Sequence, residues 1–198
     1  MRRTLLATAL IFVSLLLVAS GVVAMPSATI VKGENSVNLM IAGLREAVSY
    51  GIIAQTATNE DMAIGFAAAK LPKIGSITNS AAIGVYVNYE LYKTNGDLPS
   101  VAAILGLGFL SSEGTSITLP VAGLIASQEI GGGLSCNALF APGFGTAAER
   151  WVLAAEIDYK LDEFLNQSGY SLQLGYTHIG GLSAGSVGGI YGGLFFEF

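Results

Sequence analysis

From Ser36 to Phe198 the chain repeats one pattern. Short stretches alternate apolar residues with polar or small ones, and turn-forming sequence breaks them every ~8–12 residues, the signature of an all-β fold. A period of two is the side-chain period of a β-strand, so each stretch sorts its residues onto two faces. In 81–92, Ile83, Val85, Val87, Tyr89 and Leu91 share one face, opposite Gly84, Tyr86, Asn88, Glu90 and Tyr92. In 150–161, Trp151, Leu153, Ala155, Ile157, Tyr159 and Leu161 oppose Arg150, Val152, Ala154, Glu156, Asp158 and Lys160. In 170–178, Tyr170, Leu172, Leu174, Tyr176 and His178 oppose Ser171, Gln173, Gly175 and Thr177. The fourth clear stretch is the carboxyl end, where Ile190, Gly192, Leu194, Phe196 and Phe198 oppose Tyr191, Gly193, Phe195 and Glu197.

Six weaker stretches, 36–44, 48–57, 62–70, 101–111, 116–128 and 132–141, bring the expected total to ten strands. An even number returns both termini to the same side of a closed barrel. An eight-strand alternative stays open at this stage. Ser36 suits a helix cap with Val37, Met40, Ile41 and Leu44 on one helical face, and 25–57 would then fold over or into the barrel. Pro120 inside a strand removes a ladder donor and predicts a bulge or break there. The Asn95-Gly96 pair favours a tight hairpin.

Composition gives the alternation its direction. The chain is 52% hydrophobic and 12% charged, a balance unusual for a soluble domain. Yet after residue 24 its longest apolar run is the ten residues of 101–110, about half of what a spanning helix needs. A closed antiparallel up-and-down transmembrane β-barrel resolves the conflict, with greasy faces turned to hydrocarbon and charged or tiny residues turned to the axis. Tyr89, Trp151, Tyr159, Tyr170, Tyr176, Phe196 and Phe198 then stand where aromatic girdles meet the membrane–water interfaces. At the amino end, Arg2-Arg3, the apolar stretch 4–23 and Val22-Val23-Ala24 have the anatomy of a secretory signal peptide cut after Ala24. The expected organisation is a cleaved signal peptide over 1–24, a periplasmic lead-in over 25–35 and the barrel over 36–198.

Cleavage removes two of nine basic residues and none of fourteen acids, leaving a formal charge of -7. No basic face is available for nucleic acid. Cys136 is the single cysteine, so no intramolecular disulfide forms and no lipid-acceptor cysteine follows the cut.

The closing run Gly188-Gly-Ile-Tyr-Gly-Gly-Leu-Phe-Phe-Glu-Phe198 resembles the last strand of bacterial outer-membrane β-barrels, which end in a Phe preceded by aromatic or aliphatic residues at alternate positions. The resemblance implies the bacterial outer membrane as location and outer-membrane lipid as surroundings. It also implies that Ile190, Leu194, Phe196 and Phe198 form an assembly signal read by the barrel-assembly machinery.

The inward polar set is the candidate site: Tyr86, Asn88, Glu90, Arg150, Glu156, Asp158, Lys160, Gln173, Tyr191 and Glu197. Charges in a low-dielectric interior must be paired or wet. One reading is a salt-bridged plug that fills a narrow lumen and leaves the protein a structural or surface role. The alternative is a thin, acid-lined pore that prefers cations and passes only small ions or solutes. Inward Gly65, Ala67, Ala69, Ala102, Gly106 and Gly108 would leave it space.

An enzyme is not expected. Lipid-deacylating barrels carry a Ser two residues after their His, but Gly180 holds that position after His178, and Ser183 falls in a turn. One His and one Cys supply no metal-ligand spacing, so neither metal nor cofactor is expected. Gly131 to Gly133 read as a turn rather than a phosphate cradle. A soluble exported β-protein is the remaining alternative.

Overall fold

The computed structural model describes residues 26–44, 47–71, 80–94, 98–112, 115–142, 151–162, 169–182 and 185–198. They form ten strands: β1 (Asn35–Leu44), β2 (Ala47–Ala57), β3 (Met62–Leu71), β4 (Ser80–Tyr92), β5 (Ser100–Ser112), β6 (Thr115–Gly131), β7 (Leu134–Pro142), β8 (Trp151–Lys160), β9 (Tyr170–Leu182) and β10 (Gly185–Glu197). Every strand pairs antiparallel with its sequence neighbour, and β1 pairs with β10 to close the barrel. The expected ten-strand, up-and-down architecture is therefore what the chain adopts. The signal-peptide region, Arg150, Ser183 and the Asn95-Gly96 pair lie outside the described residues.

The eight-strand alternative fails at β1. Ser36 to Leu44 pair residue by residue with Glu197 to Gly189, and the backbones of Asn35 and Phe198 exchange two hydrogen bonds of 3.0 Å. The terminal strand offers a full row of backbone donors and acceptors, and a strand satisfies them where a helix would leave an open edge. On its other side β1 registers with β2 at Asn35↔Thr56.

The expected bulge at Pro120 is absent. The β5–β6 register runs unbroken through Leu107↔Pro120, and the described β6–β7 ladder begins only at Leu124↔Phe140. Pro120 stands where β6 has run past that ladder, so its missing N–H costs no described β6–β7 bond. The irregularity in β6 lies instead between Glu129 and Gly131. The turn read at Gly131 to Gly133 falls at Gly132 and Gly133, and β7 starts at Leu134 rather than 132. Gly131, Gly132 and Gly133 have φ of 104°, 64° and 77°, a left-handed run that side-chain-bearing residues rarely adopt.

Sidedness follows from exposure. Leu153, Ile157, Leu174 and Leu105 are 48, 51, 50 and 60% exposed on the outer wall. Their chain neighbours Ala154, Glu156, Gln173 and Ile104 are buried inside. A water-soluble barrel has the opposite arrangement.

The lumen is filled by an unexpected device. A Cβ built on Gly65 would fall on the ring of Tyr86, and one on Gly175 would fall on the ring of Tyr191. Each tyrosine thus lies flat across a glycine of the adjacent strand. Gly65 and Gly106 were expected to leave open space; Gly65 makes room for an aromatic ring instead, and Gly106 lies close against the backbone of Val85 and Tyr86.

Candidate functional site

The lumen is the candidate site, and its two halves are built differently. The end of the barrel that carries both strand termini, called here the terminal end, is occupied by residues 26–34. This lead-in enters the mouth of the barrel, with Ala28 and Ile30 at 0 and 1% exposure. Four polar contacts hold its backbone. Asn88 Nδ2 donates to the Ser27 carbonyl at 2.8 Å, and the Ala28 amide donates to Ser127 Oγ at 2.9 Å. The Ile30 amide donates to Glu90 Oε2 at 3.3 Å, and Lys93 Nζ donates to the Ile30 carbonyl at 3.1 Å. Lys93 also pairs with Glu90 at 3.7 Å, so the buried Glu90 carboxylate has a cation and an amide at one oxygen.

Deeper in, β7, β8, β9 and β10 bring an acid pair together. Glu156 and Asp158 lie two residues apart on the inward face of β8. Asn137 of β7, opposite Glu156 in the register, donates its amide to Glu156 Oε1 at 3.2 Å and Asp158 Oδ2 at 2.6 Å. Gln173 of β9, opposite Asp158, donates Nε2 to Glu156 Oε1 at 3.2 Å. Tyr191 of β10 is fully buried, and its hydroxyl comes up against Glu156. The two described ion pairs are Lys93–Glu90 and Lys160–Glu129, and neither reaches this acid pair.

The structure therefore gathers Glu156, Asp158, Gln173 and Tyr191 in one cluster and Asn88 and Glu90 in another. Tyr86 lies between neighbouring strands, its hydroxyl 3.3 Å from Gln55 Oε1. Lys160 and Glu197 are exposed at the terminal end, where Lys160 forms a 3.8 Å pair with Glu129. Arg150 is outside the described residues.

Asn137, Ser127 and the lead-in were not expected in the lumen. For Asn137 the signal was present: Cys136, Ala138 and Phe140 form the apolar face of β7, which leaves Asn137 facing in.

Of the interface aromatics, Tyr89, Trp151, Tyr159 and Tyr176 are 49, 36, 37 and 48% exposed on the outer wall. Tyr170 packs edge-on against Phe196 at 5.3 Å between ring centroids, and Phe198 is exposed at the rim. Ile190 is exposed on the outer wall, and Leu194, on the same face, is partly buried. His178 stacks on Trp151 at 5.2 Å and on Tyr176 at 6.4 Å, on the outer wall and away from the lumen. Among the described residues, no group of three or more His, Cys, Asp or Glu side chains is gathered to hold a metal.

These features define a class, the closed antiparallel barrel with an apolar outer wall and a polar lumen. The chain is similar in fold to the KdgM porin in complex with disordered oligogalacturonate, with a TM-score of 0.50 and 12% identity over 82% of this chain and 99% of that one. It also matches the KdgM porin alone (TM-score 0.49, 13% identity, 82% and 99% covered). A further match is the N-terminal β-barrel domain of Pseudomonas aeruginosa OprF (TM-score 0.42, 11% identity, 84% and 98% covered). The structural neighbours are outer-membrane β-barrels. No protein-family model matches the chain, and no curated protein does.

Proposed function

We propose that this protein is a small bacterial outer-membrane β-barrel with a structural or surface role and a largely filled lumen. In this reading residues 1–24 are cleaved on export, outer-membrane lipid contacts the apolar wall, and the barrel-assembly machinery reads Ile190, Leu194, Phe196 and Phe198. The observation that carries it is the lumen itself. Tyr191, Ile125, Asn88 and Thr177 are fully buried there, and Ile30 of the lead-in joins them from the terminal end. Ten strands enclose only a little more than the eight whose interior side chains just fill. Two tyrosine rings and an inserted segment take up that excess.

The likeness to a porin supports no solute role. The oligogalacturonate named with that porin is a carboxylate-bearing sugar, and here Glu90, Glu156 and Asp158 face the lumen. Acids repel such a solute. No catalytic group is assigned: the position two residues after His178 is Gly180, and His178 itself stacks on Trp151 and Tyr176. Planar-bilayer recording tests the reading. The purified protein should give no steady conductance steps; reproducible cation-selective steps would replace the filled-lumen reading with a narrow pore.

A further inference from the structure

We propose that Glu156, Asp158, Gln173 and Tyr191 form a lumenal binding site for a divalent, oxygen-seeking cation of the Ca²⁺ kind. The argument starts from which oxygens are spoken for. Asn137 and Gln173 place their donor hydrogens on Glu156 Oε1 and Asp158 Oδ2. Glu156 Oε2, Asp158 Oδ1, Gln173 Oε1 and the Tyr191 hydroxyl are all shut off from solvent and complete no hydrogen bond. Gln173 is 4% exposed and Tyr191 0%, so neither can turn to bulk water for a partner. Their positions are fixed by the sheet, since Gln173 stands opposite Asp158 and Tyr191 reaches across Gly175, the register partner of Glu156.

Buried acceptors without donors are costly, and buried carboxylates without a cation more so. Glu90 shows how this barrel meets that cost, with Lys93 and the lead-in amide at one of its oxygens. Neither described ion pair serves Glu156 or Asp158. A bound cation supplies what is missing. The donors are all oxygen, which suits a hard cation; a zinc-type site would want nitrogen or sulfur. Two carboxylates match a double charge. Ca²⁺ tolerates an irregular mixture of carboxylate, amide and water oxygens, whereas Mg²⁺ demands near-ideal octahedral geometry.

The test uses the full mature protein refolded in detergent, with Tb³⁺ as the probe and tyrosine excitation, because Tyr191 would lie beside the ion. Wild type should give saturable sensitised emission that Ca²⁺ competes away. Glu156→Gln and Asp158→Asn should each weaken Tb³⁺ binding by at least the ~10–100-fold that losing an outer-shell partner costs. Gln173→Ala should weaken it less, and the exposed control Glu129→Gln should not change it. Folding of each variant is checked by heat-modifiable electrophoretic mobility. Should one carboxamide variant fail to fold, the other and Gln173→Ala carry the test. In addition, Ca²⁺ should raise the temperature of the wild-type mobility shift and leave that of Asp158→Asn unmoved. Absence of saturable emission in the wild type, or equal affinity in the folded acid variants, overturns the site. Conductance is a separate readout, so the site and the filled lumen can fail independently.

Discussion

The pairing of tyrosine with glycine yields the most direct stability prediction, because two glycines of one wall differ sharply in what surrounds them. Gly106 on β5 and Gly84 on β4 both face the lumen, and each stands in register with a residue of the other strand. A Cβ on Gly106 would meet the Val85 carbonyl oxygen head-on, with Tyr86 Cβ at 2.8 Å and Tyr86 Cα at 3.0 Å. Two of those three atoms belong to the backbone, so the strand itself must move. A Cβ on Gly84 would find only the Leu107 carbonyl oxygen at 3.5 Å and Gly108 Cα at 3.8 Å, ordinary contact. Overpacking of a rigid interior costs about 1–3 kcal/mol, and the backbone clash places Gly106→Ala toward the upper end. Gly→Ala at a site that tolerates the methyl instead stabilises by about 0.4–1 kcal/mol, by restricting the unfolded chain. The two variants should therefore differ by roughly 2.5–4 kcal/mol, or about two to three decades in the unfolding equilibrium. Urea unfolding from lipid vesicles, followed by the single tryptophan, Trp151, measures this. Equal stabilities, or Gly84→Ala below Gly106→Ala, would refute the account of how the lumen is packed.

Three further outcomes are expected. Ser127→Ala removes the acceptor of the Ala28 amide, so hydrogen exchange at Ala28 should quicken several-fold, in line with the ~0.5–1.5 kcal/mol of one hydrogen bond, while β5 and β6 amides stay protected. An unchanged Ala28 rate would mean that the lead-in is not held in the mouth. Trp151 fluorescence in vesicles should be quenched by lipids brominated on the acyl chain, since Trp151 stands on the outer wall; quenching by aqueous iodide alone would reverse the sidedness. His178→Ala should leave the host membrane's lipid profile unchanged and only loosen the aromatic stack with Trp151 and Tyr176; altered acylation would give this histidine a chemical role.

Alternation made the outer wall legible. In β8 the period is uninterrupted from Trp151 to Tyr159, and exposure follows it residue by residue. The terminal strand was as clear, because its apolar side chains alternate up to Phe198. Asn137 was harder to find: Ser135, Cys136 and Ala138 are too alike in polarity to mark two faces, and only Phe140 sets the phase. The lead-in had no period to read. Its place depends on Asn88, Glu90 and Ser127, which are 61, 60 and 99 residues from their partners in the chain. Long-range polar contacts of that kind leave no local trace. At Pro120 the described β5–β6 register runs unbroken, so the proline marks no bulge on that side.

The inward glycines change meaning once the rings are placed. Counted along the sequence, inward glycines such as Gly65 and Gly106 suggest an interior with room to spare, and room suggests conduction. In the barrel each lies under or beside a tyrosine, so small residues and large ones are complements within one packed layer. The charges then decide what kind of interior this is. Glu90 is met by Lys93 and by the lead-in backbone, so insertion of residues 26–34 both closes the terminal mouth and solvates an acid. Glu156 and Asp158 receive amide hydrogens on one oxygen each and keep the other bare. A lumen evolved only for filling has no use for two bare carboxylate oxygens, because apolar side chains of the same volume would pack there at lower cost. Glu90 keeps a bare oxygen too, Oε1, but its other oxygen has a cation; neither described ion pair reaches Glu156 or Asp158, and that difference between the two acid sites is the physical ground for expecting an ion at the second.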